Sequence, residues 1–456
     1  MTSKPQKETL ARVQARTSLL SLPIELIEQV ASYLTLPSFR ALRLTASRYH
    51  HQTDHLFRQR FFTTQHLRWT KTSLQRLTEI STYQPLGSSC RHLIIDATPH
   101  HALLLWKMGR RSLDPGLMAP VAIDEDDIRL FKLTEDYEAL QHKAEEAAKW
   151  FNETRFDVKC LVTVFAHLTS LDRITFAYQG MEALCSVFGH RYCESSQHEM
   201  SRPFISTLSA LATSEVKVRH IAVHDEDRYG AISIGRLESL APSLRYFDVA
   251  FENLETLQLN LRDWRSPDAG FEIEQTRAPF IVRFLAKCKN VRTLELSCYS
   301  ALEDDLFGVV ARTCRFIKLE KCNLDSFRIT HVNDLIEFLM PCSDSLKQLK
   351  LQKIMIANPQ ATWADVLTTL AESNSCLASL QSFSVYLLYL QRDTNSIKRV
   401  VFHDWSRSAL SLSVEGKDWR VDLRSRGSQY AEHNALGMWE ASATLYPFIY
   451  QPPVYV

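Results

Sequence analysis

Four residues of the kind that hold metal ions, Cys185, His190, Cys193 and His198, stand in one short stretch spaced C-x4-H-x2-C-x4-H. Thiolate and imidazole are the ligands of tetrahedral zinc, so the spacing could supply such a site. Zinc frameworks usually open on a C-x2-C pair, which is missing here. The stretch is therefore read as a surface loop, and neither a metal nor a cofactor is expected. Asp124, Glu125, Asp126 and Asp127 are adjacent in sequence. Consecutive carboxylates diverge rather than converge on one ion, so they read as a solvated acidic run. No phosphate-cradling glycine loop, HExxH or GxSxG pattern occurs. Gly416-Lys417 follows no such loop and belongs to a turn. His50-His51 and His100-His101 have no evident partner, and none of the ten cysteines has a recognisable catalytic context. The chain is read as a non-enzyme whose work is recognition.

The composition agrees with that reading. Of 456 residues, 45% are hydrophobic and 23% charged, ordinary for a globular protein. A net charge of +1 offers no bulk field for nucleic acid or an acidic membrane. Twelve glycines argue against glycine-rich loops and hairpin-dense architectures. The first twenty residues are polar and basic, and the longest apolar runs are too short to span a bilayer. The expectation is a cytoplasmic or nuclear protein with reduced thiols, binding neither nucleic acid nor membrane.

The elements that would carry recognition begin at Ser21–Phe62. Leu22-Pro23 opens a helix, the proline ring suiting a first turn. Leu26, Ile27, Val30 and Leu34 share one face of it. Thr35-Leu36-Pro37 ends that helix and starts another, with Phe39, Leu42 and Leu44 on its apolar side. A third helix follows Thr45, with Tyr49, Thr53, Leu56, Phe57 and Phe61 in one stripe. A three-helix core of about 40 residues is near the lower limit for folding alone, and these apolar side chains exceed what it can bury. Surplus apolar surface on a short helical module marks a partner site.

The stretch resembles the F-box: Leu22-Pro23, the carboxylate Glu25, a hydrophobic pair, Leu34, a second Leu-Pro at Leu36-Pro37, and Arg48-Tyr49. The resemblance covers about a tenth of the chain. It implies a surface packing against the Skp-type adaptor of a cullin–RING ubiquitin ligase, with Leu22, Pro23, Leu26, Ile27, Val30, Leu34, Leu36, Pro37, Phe39, Leu42 and Leu44 as docking residues. The alternative is that these helices only cap a larger fold.

Beyond it, short L-x-x-L-x-L runs recur: Leu254, Leu257, Leu259; Val291, Leu294, Leu296; Cys314, Ile317, Leu319, Cys322; Leu346, Leu349, Leu351; Leu380, Phe383, Val385. Weaker copies lie at Leu93-Ile95, at Leu171, Ile174 and Phe176, at Ile221-Val223 and at Leu244, Phe247 and Val249. Helical patterns separate the later runs, at Pro279–Lys289, Asp304–Arg312, His331–Met340 and Thr362–Glu372. The alternation resembles leucine-rich repeats with irregular intervals and no regular turn asparagine. One strand–helix unit cannot bury its apolar face alone, whereas stacked neighbours share a core. Leu257, Leu294, Ile317, Leu349 and Phe383 should form one buried column. Gln258, Glu295, Lys318, Lys350 and Ser384 would then point to the concave side, followed by Asn260, Ser297, Glu320, Gln352 and Tyr386. Lys318, Lys350 and Tyr386 are the candidate substrate contacts on it.

The fold expected is α/β: a disordered tail (1–17), a three-helix F-box-like domain (18–64), an irregular leucine-rich-repeat-like strand–helix solenoid (65–396) and a C-terminal cap (397–456). Arg110–Leu130 reads as an insertion, Leu133–Phe151 as an amphipathic helix, and Ala409–Leu423 as a β-hairpin turning at Glu415-Gly416-Lys417-Asp418. The function expected is substrate recognition in an SCF-type ubiquitin ligase, docking the Skp adaptor and through it a cullin; the protein substrate is unknown. The alternative is an F-box or repeat scaffold acting outside ubiquitin ligation.

Overall fold

The computed structural model describes residues 22–98, 138–139, 142–143, 145–178, 194–214, 216–225, 232–262, 279–298, 305–372, 377–393, 396–404, 407–409, 411–416, 419–427 and 430–434. The polar tail, the 110–130 insertion and Cys185, His190 and Cys193 lie outside them, and His198 falls within a helix. The helical pattern read over Leu133–Phe151 is helical at 145–154.

Four short helices open the chain: α1 (Ile24–Ser32), α2 (Leu36–Thr45), α3 (Ser47–Gln52) and α4 (Asp54–Phe61). Pro23 and Pro37 sit where expected, at the start of α1 and in the first turn of α2. The third expected helix is two. The Thr53 hydroxyl donates to the Tyr49 carbonyl at 2.6 Å, and the Thr53 backbone leaves helical geometry (φ −99°, ψ 8°), which ends α3. Ala31, Phe39 and Phe57 form a small core separate from the main one. The rings of Phe39 and Phe57 lie 5.4 Å apart, and Arg43 stacks on Phe57 while bonding Asp54 at 2.9 Å.

The remainder is mixed α/β. One large sheet runs β1 (Thr64–Arg68), β2 (His92–Asp96), β3 (Arg173–Tyr178), β4 (His220–Asp225), β6 (Thr256–Arg262), β7 (Thr293–Cys298), β8 (Lys321–Asp325), β10 (Gln348–Gln352), β12 (Ser382–Tyr386) and β16 (Ser411–Glu415), with the two-residue β5 (Ile232–Ser233) beside β6. The strands lie in sequence order and pair in parallel, except that β16 runs antiparallel to β12. Parallel neighbours need crossovers. These include α5 (Lys71–Thr82), α6 (Phe156–His167), α7 (Glu194–Ser214), α8 (Phe280–Leu285), α9 (Leu306–Thr313), α10 (Val332–Leu339) and α11 (Trp363–Glu372). The last four match the expected helical segments. Thr362 and Asp365 cap α11 reciprocally, each side chain accepting the other's backbone N–H.

Registry runs straight across the sheet. Leu93, Ile174, Ile221, Leu257, Leu294, Cys322, Leu349 and Phe383 are successive partners, and all are buried. Two further buried rows flank this one, from Cys90 to Leu380 and from Ile95 to Val385. The column therefore contains Cys322, not Ile317. Ile317 stands in a turn, 61% exposed. The repeat there is Leu319-x-x-Cys322-x-Leu324, five residues later than expected, because β8 must pair with both β7 and β10. Leu244, Phe247 and Val249 are likewise not a strand. They lie in a 3₁₀ segment (Glu238–Tyr246) and a short helix (Phe247–Ala250).

After β8, β10 and β12 the chain repeats one device. Ser326, Lys353 and Leu387 each take left-handed backbone (φ 61°, 49° and 53°). Each turn feeds a strand of a second sheet: β9 (Arg328–Ile329), β11 (Met355–Ile356) and β13 (Tyr389–Asp393). That sheet continues with β14 (Ser396–Asp404), β15 (Arg407–Ala409) and β17 (Tyr430–Asn434). The expected hairpin over Ala409–Leu423 is not formed. β16 joins the large sheet, and Trp419, Val421 and Leu423 belong to α12 (Trp419–Gly427). Trp419 and Leu423, one helical turn apart, are buried, whereas Val421 is exposed. No described helix is long and apolar enough to cross a membrane.

Candidate functional site

The eleven residues expected to dock a partner divide by burial. Ile27 (2% exposed) and Phe39 (0%) belong to the module's interior and cannot meet a partner without unfolding it. Leu22, Leu34, Leu36 and Leu42 are half-buried, the last three packed against that interior. Pro23, Leu26, Val30, Pro37 and Leu44 are exposed. Leu26 (45%) and Val30 (44%) continue into Tyr33 (81%), which the sequence reading left out. These three follow at i, i+4 and i+7, one continuous stripe on the solvent side of α1. Leu44 adds an aliphatic side chain at 87% exposure on α2. An amphipathic pattern finds the apolar face of a helix but does not say which apolar residues a four-helix packing leaves outside.

The three candidate contacts on the sheet also separate. Lys350 and Tyr386 sit on adjacent strands, β10 and β12, with exposed side chains out of phase with the core rows. Lys318 does not join them. It lies in the turn before β8, and its ammonium donates to Asn290 Oδ1 at 2.7 Å, tying two successive turns together. Asn323 takes its expected place beside Lys350, and Asp325 replaces Glu320 in the next row.

Glu320 belongs instead to a charge ladder. One residue before β2, β3, β4, β6, β7, β8 and β10, in backbone register, stand Arg91, Asp172, Arg219, Glu255, Arg292, Glu320 and Lys347. The signs alternate without a break. Arg219 pairs with Asp172, and Glu320 accepts from Arg292 and from Lys347, both at 2.7 Å. Lys347 first, then Arg292, hold the Glu320 carboxyl below its ordinary value. Four cations meet three acids, so one is left over. Arg91 makes no side-chain ion pair among the described residues.

Two acids converge elsewhere. Asp305 caps α9, accepting from the Gly308 N–H at 3.3 Å, and Asp334 of α10 approaches the same glycine. Arg312 bridges them, at 2.8 Å to Asp305 and 3.0 Å to Asp334. Burial, then the neighbouring Asp305, raises the Asp334 carboxyl above its ordinary value, with Arg312 opposing. A side chain at Gly308 would place its Cβ 2.1 Å from Asp305 Oδ2 and 2.5 Å from Asp334 Oδ2. Alanine there gains about 1 kcal/mol of helix propensity but displaces the cap and the bridge. Gly308→Ala should therefore lower unfolding free energy by about 1–2 kcal/mol in urea titration. A stabilised variant would refute the crowding.

Among the described residues no group of three metal-ligating side chains converges. Burial pushes the Cys90 thiol up to about 11 and Cys314 up to about 12, and raises Cys288 and Cys322 well above their ordinary values. Thiols so held are protonated at neutral pH and are weak nucleophiles. The described arrangement is equipped to bind through surfaces: an apolar stripe on α1 and a polar strand face. No protein-family model matches the chain, and no curated protein matches it either.

Proposed function

We propose that this chain is the substrate-recognition adaptor of an SCF-type, cullin–RING ubiquitin ligase. In this reading the N-terminal helices act as an F-box that docks a Skp-type adaptor. The following strands and helices form an irregular leucine-rich-repeat-like solenoid that holds a protein substrate. The observation that carries the reading is the exposed stripe Leu26, Val30 and Tyr33 on α1, with Leu44 on α2, over a core of their own. A module that completes a core and still exposes five large apolar side chains, Ile24 being the fifth, is built for a helix-against-helix partner. The mechanism is proximity. Holding substrate on the same chain as the docked ligase raises the effective concentration of a substrate lysine at the charged conjugating enzyme. No residue of this chain does covalent chemistry in that scheme.

The test targets residues that folding does not need. Leu26→Asp with Val30→Asp should leave unfolding curves within about 0.5 kcal/mol of wild type, because both side chains are solvent-facing. It should cost about 2–4 kcal/mol of affinity for a purified Skp-type adaptor, a loss of about 30-fold or more. Equal adaptor capture by wild type and double variant would overturn the docking assignment. Capture of adaptor without cullin would overturn the ligase part alone.

A further inference from the structure

On the first strands of the large sheet, the face opposite the helices carries more cations than acids. Arg68 on β1, Arg91 one residue before β2 and Arg173 on β3 are exposed, and their guanidinium groups make no hydrogen bond or ion pair among the described residues. His66 and His92 stand between them and His220 beyond them, His92 and His220 being the direct registry partners of Arg173. His92 shares a 2.8 Å hydrogen bond with Thr175. Of the nearby acids, Asp172 is taken up by Arg219, and Asp96, next to Arg68, already has an interaction of its own. The excess follows from the ladder's odd cation and from Arg173, whose registry partners are both histidines.

The relief of this face is the second observation. Between the long side chains of β1 and Gln258 on β6, the middle outward positions of β3 and β4 hold the partners Thr175 and Ala222, with Ala177 and Ile94 beside them. Short side chains flanked by long ones make a shallow trough. From Arg91 to the level of Arg68 is five residues along a strand, about 16 Å, and from β1 to β3 is two strand spacings, about 10 Å. A backbone lying in that space would be about five extended residues long. On β7 to β12 the same face carries Glu295, Lys321 and Lys350 and is mixed in sign.

We propose that this trough is a binding site for an extended protein segment rich in aspartate and glutamate, its carboxylates meeting Arg68, Arg91 and Arg173. The proposal names the class of substrate for the receptor surface of the preceding section and rests on that reading. Guanidinium suits it because its planar donors match carboxylates in bidentate geometry and it stays charged throughout the physiological range.

The experiment uses the full chain without any ligase component, so its outcome is independent of adaptor docking. Fluorescence anisotropy is measured with a labelled peptide of about a dozen alternating Glu and Ser residues, its Gln counterpart, its phosphoserine–Ser counterpart, and a single-stranded RNA of similar charge. The Glu peptide should bind saturably, the Gln peptide about tenfold or more weakly, and affinity should fall between about 50 mM and about 300 mM salt. The triple variant Arg68→Gln, Arg91→Gln, Arg173→Gln should lose about tenfold. Lys321→Gln with Lys289→Gln, on β8 and in the turn before β7, should change binding less than about twofold. All five side chains are exposed, and unfolding curves check each variant. Equal binding of Glu and Gln peptides, tighter binding of RNA or the phosphopeptide, or equal losses in the two variants would each overturn the proposal.

Discussion

Leu349→Asp unfolds the strand–helix array. Leu349 is buried at the centre of β10, in register between Cys322 and Phe383, and its neighbours on the strand bond both flanking strands. Loss of the leucine alone costs about 2–5 kcal/mol in a packed interior. A carboxylate in its place adds the penalty of an unpaired buried polar group. The sum approaches the whole stability of an ordinary domain, about 5–15 kcal/mol. Circular dichroism and soluble yield should show an unfolded or aggregated chain, and Leu349→Ala a folded one weakened by the smaller amount. Ile317→Asp is the matched control. With Ile317 facing solvent, that substitution should cost less than about 0.5 kcal/mol. Comparable damage from both aspartates would mean that β8 is out of phase with the assignment.

Asp157→Ala is expected to be nearly as costly. Asp157 is fully buried on α6, and Arg202 of α7 donates Nε–H to it at 2.7 Å and a second bond at 3.4 Å. The Ser206 hydroxyl donates to the same carboxylate at 2.8 Å. Arg202 is itself mostly buried, bonded to Asn152 and stacked over Phe151. Removing the acid strands a guanidinium and a hydroxyl in the interior, at about 3–5 kcal/mol. Replacing both partners, Asp157→Leu with Arg202→Leu, removes the stranded charge and should recover much of the loss. A double-mutant cycle in urea reads the coupling directly. Additive single effects would mean that the pair is not a coupled unit.

The strand–helix alternation was legible because it follows from spacing. A residue pair one apart with a third three before it marks a strand start wherever one face is buried, and helical spacing marks α8 to α11. The same rule could not choose between Ile317 and Cys322. Both lie in apolar runs of strand length, and only the requirement to bond β7 and β10 together excludes the first. Trp419, Val421 and Leu423 fit a strand by alternation and a helix by the i, i+4 pair. Packing of Trp419 against Phe383, ring centroids 6.5 Å apart, accompanies the helix.

The charge ladder and the cationic trough were illegible for another reason. Their members lie in neighbouring strands but at unequal sequence intervals: 36, 37, 28, 27 and 34 residues separate Ile221, Leu257, Leu294, Cys322, Leu349 and Phe383. Only the registry lines up Arg91, Asp172 and Arg219. On the N-terminal helices, the sequence alone determined which residues are apolar and where each helix starts, since proline and spacing act locally. Which of those residues face water was decided by the tertiary structure. Ile27 and Leu26 are adjacent and chemically alike, and only packing against one side of α1, where Ala31 meets Phe39 and Phe57, leaves the first buried and the second on the surface.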